Sequence, residues 1–154
     1  MPYCPDKKGA HARAVTMEYT TLAAVDLGSN SFHLAVGRVV DDQVYPLDAI
    51  KETVRLGAGL GPDRRLDVPT QERALAALRR FAERLAGMPA ESVRVVGTNT
   101  LRVAKNADEF LQAAEEVIGF PIEVISGREE ARLIYSGVVH SLPLTPHHRL
   151  EIAI

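Results

Sequence analysis

The apolar residues in the first part of the chain follow the two-residue period of β-strands. Residues 22–25 form a continuous apolar run that ends at Asp26, which is typical of a strand buried on both faces. Apolar and polar residues alternate over 32–36, a polar pair at 41–42 interrupts the pattern, and apolar residues resume at 44–45. This pattern predicts one strand followed by a β-hairpin.

Further along the chain, helical and strand patterns alternate. Apolar stripes at helical spacing cover residues 75–85, 110–118 and 131–138, and short apolar runs cover residues 93–96 and 122–125. Asn106 precedes the second stripe and is predicted to cap that helix. The element order βββαβαβα predicts an α/β fold, with a mixed sheet that has a three-strand antiparallel start and helices on both faces.

Composition excludes several classes of function without changing this fold. The 154 residues are 46% hydrophobic and 25% charged, and 18 Lys and Arg against 20 Asp and Glu give a net charge of −2. One compact domain is expected at this length. The near-neutral balance provides no global attraction for nucleic acid or for an anionic membrane, so we expect neither partner, and any phosphate recognition must be local.

The N-terminal segment and the cysteine content lead to expectations about location. Residues 1–18 include basic residues but no apolar core of signal-peptide length, so we interpret them as a flexible tail ahead of a domain over residues 19–154. No apolar run approaches the roughly 20 residues that a membrane span requires. Cys4 has no second cysteine to pair with, which favours a reducing compartment and a cytoplasmic location.

The polar segment that follows the first strand has the composition of an anion-binding turn. Gly28 allows close approach of an anion, and Ser29, Asn30 and Ser31 add hydrogen-bond donors. Asp26, at the end of the strand, is a candidate to hold a divalent metal through water. Together these groups suit a metal-complexed phosphate. The alternative is an ordinary β-turn in which the polar side chains only satisfy the backbone.

A second polar segment follows the strand at residues 93–96. Thr98, Asn99 and Arg102 occupy the position where ligands gather at the carboxyl ends of strands in α/β sheets. The guanidinium of Arg102 matches two phosphate oxygens at once. The alternative is a solvated arginine beside a helix start.

Two adjacent glutamates open the last helical pattern. Ser126 and Glu129 match the capping box, in which the serine hydroxyl accepts from the amide of Glu129 and the carboxylate of Glu129 reaches back to the amide of Ser126. Glu130 has no such role, and it is a candidate base that takes a proton from water if it faces the phosphate site. The alternative is that Glu130 only favours the helix dipole from a solvated face.

Charge is distributed unevenly along the chain. Residues 51–84 carry eight Lys or Arg against five acids, whereas residues 107–130 carry seven acids and one arginine. Most of these charges are expected on solvated helix faces. The alternative for Arg55, Arg64 and Arg65 is that they attract an anionic chain.

Three segments, taken in order, resemble the exopolyphosphatase and guanosine pentaphosphate phosphohydrolase family. They are Ala-Val-Asp-Leu-Gly-Ser-Asn-Ser-Phe-His at 24–33, Gly-Thr-Asn-Thr-Leu-Arg at 97–102 and Ile-Ser-Gly-Arg-Glu-Glu-Ala-Arg-Leu at 125–133. The resemblance implies the N-terminal lobe of an actin-like ATPase (ribonuclease H-like) fold. It implies that residues 26–31 form a first phosphate loop, that Arg102 contacts substrate phosphate and that Glu130 is the general base.

The resemblance also implies a reaction and a cofactor. The reaction is release of terminal orthophosphate from inorganic polyphosphate or from guanosine pentaphosphate, with Mg²⁺ or another divalent cation. Two alternatives stay open: another actin-like ATPase or kinase lobe, and a non-catalytic module that binds phosphorylated ligands or self-associates.

The end of the chain departs from the family pattern. After a strand near residues 150–154 the family continues with Asp-Ile-Gly-Gly-Gly-Ser-Thr-Glu, a second phosphate loop, whereas this chain reads Leu-Glu-Ile-Ala-Ile with Ala153 in place of the aspartate. We therefore expect the second lobe to be absent and turnover by this chain to be weak or nil, because catalysis needs donors on both sides of the phosphate. An uncovered cleft face is expected to favour a homodimer.

Overall fold

A five-stranded mixed sheet forms the centre of the protein, in a computed structural model that describes residues 20–141. The strands are β1 (Thr20–Leu27), β2 (Ser31–Val40), β3 (Gln43–Thr53), β4 (Val93–Gly97) and β5 (Ile122–Val124), in the spatial order β3-β2-β1-β4-β5. β2 is antiparallel to β1 and to β3, whereas β4 is parallel to β1 and to β5. The predicted mixed sheet with an antiparallel start is confirmed.

Some sequence predictions concern residues outside this range. The tail over residues 1–18, with Cys4, and the end of the predicted domain at residues 142–154, with Ala153, lie outside the described residues. Predictions for these segments therefore stay predictions.

The predicted hairpin joins β2 and β3 through the polar pair at residues 41–42. Asp41 and Asp42 both have left-handed backbones, with φ values of 50° and 60°. Two consecutive left-handed residues define a type I′ turn, whose twist matches that of the flanking strands. Aspartate tolerates this conformation better than most residues because its short polar side chain bonds locally.

Within residues 20–141, four α-helices accompany the sheet: α1 (Val68–Leu85), α2 (Asn99–Val103), α3 (Ala107–Ile118) and α4 (Gly127–Ser141). α1 begins at Asp67, whose carboxylate accepts a hydrogen bond from the amide of Thr70 at 2.7 Å. Left-handed glycines follow α1 and α3, with φ values of 82° at Gly87 and 81° at Gly119. Within residues 20–141, no helix combines the length and apolar character that crossing a membrane requires.

The core lies between one face of the sheet and the pair α1 and α3. Every second residue of β1, beginning at Ala23, points into this core, as do the residues opposite them on β2 and β4. The largest fully buried apolar side chains are Phe32, Phe81, Phe110, Leu27, Leu34, Leu56, Leu78, Leu85, Val25 and Val95. Each contributes about 1.5–3 kcal/mol relative to an exposed position, so this single core holds the site-bearing strands in place.

Among the described residues, only one end of the opposite face of the sheet is covered. Residues of α4, among them Leu133 and Ile134, line a pocket with Asp26 and Val96, so helices lie on both faces as predicted. Towards the other end of β1, Leu22 stays 40% exposed and an apolar groove of about 660 Å³ stays open. The homodimer prediction concerns the cleft face rather than this groove, and it stays a prediction.

The predicted capping role of Asn106 is wrong. Asn106 stands at the N-cap position of α3 but makes no capping hydrogen bond with its side chain. Instead, its amide bonds the backbone of Leu66: Oδ1 accepts from the Leu66 N–H at 2.8 Å and Nδ2 donates to the Leu66 carbonyl at 3.0 Å. Asn106 is 5% exposed, so it clamps the loop before α1 onto the start of α3 from inside the protein.

This clamp leads to a stability prediction. Asn106→Ala leaves the N–H and the carbonyl of Leu66 without partners in a buried position, which we expect to lower the free energy of unfolding by about 2 kcal/mol. Urea denaturation followed by circular dichroism measures the change. Gln112→Ala, at an exposed position of α3, is the control and should stay within about 0.5 kcal/mol of the wild type. An Asn106→Ala midpoint equal to the control's would contradict the clamp.

Candidate phosphate site

Three of the predicted polar segments meet at one edge of the sheet. β1 ends at Leu27 opposite Gly97 of β4, and Gly97 pairs in turn with Val124 of β5. Because these three strands are parallel, the segments that follow them emerge side by side at their carboxyl ends. The turn over residues 28–30, helix α2 and the start of α4 therefore surround a common space.

The turn after β1 is tightly packed against its own backbone. A Cβ atom at Gly28 would lie 2.8 Å from the carbonyl oxygen of Ser31, so only glycine fits there without a shift. Asn30 is exposed, and its Nδ2 donates a long hydrogen bond of 3.4 Å to the hydroxyl of Ser31, which is buried. Of these two polar side chains, Asn30 is thus the one that the turn presents at its surface.

A residue that the sequence reasoning missed fixes the turn to α2. The hydroxyl of Thr100 donates to the hydroxyl of Ser29 at 2.7 Å, and Thr100 is 4% exposed. On the other side, the amide of Gly57 donates to the Ser29 carbonyl at 2.8 Å. The threonine lies inside the motif at residues 97–102, but nothing in its local pattern distinguishes this contact from an ordinary buried hydroxyl. The turn is consequently held from both neighbouring segments.

Arg102 lies within α2 rather than ahead of a helix, and it is not a solvated arginine. Its Nη1 donates to the carbonyl of Ile125 at 2.7 Å and to Oε2 of Glu130 at 3.2 Å. The side chains of Arg102 and Glu130 are 25% and 35% exposed. An arginine carries five N–H donors, so this pairing leaves others for a second acceptor. Arg102 thereby ties the end of β5 and the start of α4 to α2.

Glu130 and Asp26 line the same small pocket of about 280 Å³, together with Thr98 and Ile125. Partial desolvation raises the pKa of the Asp26 carboxyl, the facing His33 lowers it, and the charge of Glu130 raises it. The outcome is a pKa above the ordinary value. Two carboxylates that act on one another in a partly desolvated pocket form an arrangement suited to a cation and to proton transfer.

The neighbouring Glu129 has different partners. Its amide donates to the Ser126 hydroxyl at 3.1 Å, which confirms the first half of the predicted capping box. Its carboxylate does not reach back as predicted, because both oxygens accept from Arg132, at 2.6 and 2.8 Å. These hydrogen bonds lower the pKa of Glu129. Of the two acids, Glu130 is the one that lines the pocket.

The donor set fits a hard divalent cation that keeps most of its water. Within the described residues no three or more His, Cys, Asp or Glu side chains group closely enough to hold a metal ion. Asp26 and Glu130 offer carboxylate oxygens, and Mg²⁺ commonly binds through one or two carboxylates, waters and the phosphates of a substrate. The residues present therefore fit Mg²⁺ if a phosphate ligand completes its shell.

Solved structures of known proteins share this fold. An exopolyphosphatase-like protein is 37% identical over 75% of this chain and 36% of its own, with a TM-score of 0.69. An Aquifex aeolicus Ppx/GppA family member is 28% identical over 81% of this chain and 41% of its own, with a TM-score of 0.74. An exopolyphosphatase from Cytophaga hutchinsonii is 29% identical over 80% of this chain and 40% of its own, with a TM-score of 0.74.

These matches define the fold and the extent of the likeness. The chain spans less than half the length of each of these relatives. Its lobe has the actin-like ATPase fold of Ppx/GppA proteins, as the motifs predicted. A sequence profile described as the Ppx/GppA phosphatase family matches residues 35–152, which is most of the chain. The chain belongs to the Ppx/GppA phosphatase family and corresponds to its N-terminal lobe.

Proposed function

We propose that this chain supplies the phosphate-binding turn and the general base of an exopolyphosphatase-type phosphohydrolase. The observation that carries the proposal is the position of Glu130, which lines a pocket with Asp26 and is held by Arg102. The family is a phosphatase family, and a relative is an exopolyphosphatase by name. Because the chain spans less than half of such relatives, the proposal concerns one side of the active site.

In this proposal the terminal phosphoryl group of the substrate binds at the turn. Backbone amides of residues 28–30 and the side chain of Asn30 donate to its oxygens, as backbone N–H groups do in other anion-binding turns. Thr98, which precedes α2, and Asn99, its first residue, flank the site. Arg102 adds charge-assisted hydrogen bonds through the N–H groups that Ile125 and Glu130 leave unused. These donors stabilise the charge on the transferring group.

Glu130 takes the proton of the attacking water in this proposal. The water oxygen forms a bond to the terminal phosphorus, and its proton moves to the carboxylate of Glu130. The bond between that phosphorus and the bridging oxygen breaks, and the shortened phosphate chain leaves with the electron pair. The hydrogen bond from Arg102 fixes the orientation of the carboxylate, as the triad logic of base and orienting group requires.

Asp26, with Glu130 beside it, would hold Mg²⁺ at this site. When bound, the ion neutralises charge on the phosphate oxygens. The turn, Arg102 and Glu130 act on a terminal phosphoryl group, so the proposed substrate class is inorganic polyphosphate or guanosine pentaphosphate.

Binding at the turn is testable in the chain itself. We expect tripolyphosphate with Mg²⁺ to shift the amide signals of Gly28–Ser31 and Thr98–Arg102 in ¹H–¹⁵N NMR spectra. Arg102→Gln should weaken the affinity about tenfold, because it removes a charge-assisted donor. Arg79→Gln, at an exposed position of α1, is the matched control and should leave affinity unchanged. Equal losses in the two variants, or no shifts at the turn, would contradict the proposal.

The role of Glu130 is testable in a chimera that joins this chain to the remaining length of the Cytophaga hutchinsonii exopolyphosphatase and releases phosphate from polyphosphate. Glu130→Gln should lower that release by about 100-fold or more, because the amide accepts no proton. Glu129→Gln is the control, because Glu129 is bound to Arg132. The phosphate release of this variant should stay within about twofold of the unsubstituted chimera. Retained activity in Glu130→Gln would show that Glu130 is not the general base and would contradict the proposal.

The raised pKa of Asp26 gives a prediction about stability. Above its folded-state pKa the ionised carboxyl destabilises the fold, and this penalty disappears as the pH falls towards the ordinary value of 3.8. Asp26→Asn should therefore unfold at higher urea concentration than the wild type at pH 7, and the difference should shrink on acidification. Glu116→Gln, on the exposed surface of α3, should show no such trend. The same Asp26→Asn chain should lose Mg²⁺-dependent tripolyphosphate binding. A variant that is no more stable than the wild type and still binds tripolyphosphate would contradict the proposed role of Asp26.

A further inference from the structure

Arg55, which lies directly after β3, has an unusual backbone conformation. Its φ and ψ values are 56° and 49°, in the left-handed region that residues other than Gly, Asn and Asp rarely adopt. The conformation is held by the phosphate-binding turn, since the Arg55 amide donates to the carbonyl of Asn30 at 2.7 Å. The amide of Val54 donates to the same oxygen at 3.1 Å. Left-handed non-glycine residues persist where surrounding contacts determine them, and such sites are often functional.

The packing around Arg55 fixes its place at the edge of the site. β3 ends opposite the start of β2, where Ser31 pairs with Thr53. Val54 and Leu56 are 2% and 0% exposed, so both neighbours anchor the chain in the core while Arg55 itself is exposed. Within residues 20–137, the guanidinium of Arg55 has no carboxylate partner. A cation without a carboxylate partner among those residues is thus attached through its own backbone to the turn.

Arg64 and Arg65, the other two arginines between residues 51 and 84 that could attract an anionic chain, are not bonded to the turn over residues 28–30. Arg64 also has a left-handed backbone, with a φ of 63°, but its carbonyl accepts from the amide of Lys105 at 2.8 Å. Arg65 pairs with Glu109 at 3.9 Å. Of the three arginines that the sequence offered as attractors of an anionic chain, Arg55 is the one joined to the turn.

We propose that Arg55 binds the second phosphoryl group of the substrate, next to the one held in the turn. This inference rests on the proposed function, and it assigns a subsite for a phosphate chain. Arg102 approaches the turn from the side of β4 and β5, whereas Arg55 is joined to it on the side of β2 and β3. A ligand with two or more linked phosphates engages both arginines, and free orthophosphate engages only the turn and Arg102. Arg55 therefore sets the preference for a chain over its product.

The test compares two arginines that share a backbone conformation. Arg55→Asn and Arg64→Asn each remove a positive charge and install a residue that tolerates the left-handed region. Affinities for orthophosphate and for tripolyphosphate, both with Mg²⁺, are measured by NMR titration on the full chain. We expect Arg55→Asn to weaken tripolyphosphate binding about tenfold and orthophosphate binding less than about twofold. Arg64→Asn should change either affinity less than about twofold, and circular dichroism should show both variants folded.

Each other outcome has one meaning. If Arg55→Asn and Arg64→Asn weaken tripolyphosphate binding equally, the effect is general attraction and the subsite is overturned. If Arg55→Asn weakens both ligands by the same factor, Arg55 contacts the terminal phosphate and the subsite is again overturned. If the wild type shows no binding at the turn, or Arg102→Gln has no effect, the proposed function fails. If only Arg55→Asn is silent, the proposed function stands without this subsite.

Discussion

The register between β1 and β4 is the constraint on which the site depends. Leu27 lies opposite Gly97, and the amide of Thr98 donates to the Leu27 carbonyl at 3.4 Å, so the turn and α2 begin at the same level of the sheet. A Cβ at Gly97 would lie 2.7 Å from Cδ1 of Leu101, so the glycine lets α2 pack closely against the end of β4. A one-residue slip would invert the face of every side chain on β4 and separate Thr100 from Ser29. The core beneath these strands thus determines the geometry of the polar groups above them.

The elements themselves were predictable because their patterns are long and periodic. Alternation over the hairpin and helical stripes over α1 and α3 report which faces are buried, and burial determines both structures. The errors concern single polar side chains. Asn106 and Glu129 were assigned local capping bonds, whereas they bond Leu66 and Arg132. Residue spacing cannot show the partner of Asn106, which lies 40 positions away, whereas the carboxylate of Glu129 bonds Arg132, three positions ahead, in place of the amide of Ser126.

The site was predictable to the level of its segments but not of its contacts. The motifs indicate three strand ends, and parallel pairing brings strand ends together. Two kinds of contact depend on the packing of α2 and α4 against those ends. They are the hydrogen bond from the Thr100 hydroxyl and the hydrogen bonds by which Arg102 joins Ile125 and Glu130. The capping-box spacing separated Glu129 from Glu130 in the sequence, but it could not show the ion pair that each carboxylate forms. What distinguishes them is the partner of each, Arg132 for one and Arg102 for the other.

In the proposed function, a ligand of mixed charge balances the charges on the two sides of the turn. On one side the carboxylates of Asp26 and Glu130 face each other, and the charge of Glu130 contributes to the raised pKa of Asp26. The hydrogen bond from Arg102 compensates the charge of Glu130 alone. On the other side Arg55 stands without a carboxylate among the described residues. A lone anion would compensate the charge of the arginine but increase the repulsion at the carboxylates, and a lone cation would have the reverse effect. A phosphate chain complexed with a divalent cation relieves both, since each carboxylate then faces positive charge and each arginine faces phosphate oxygen.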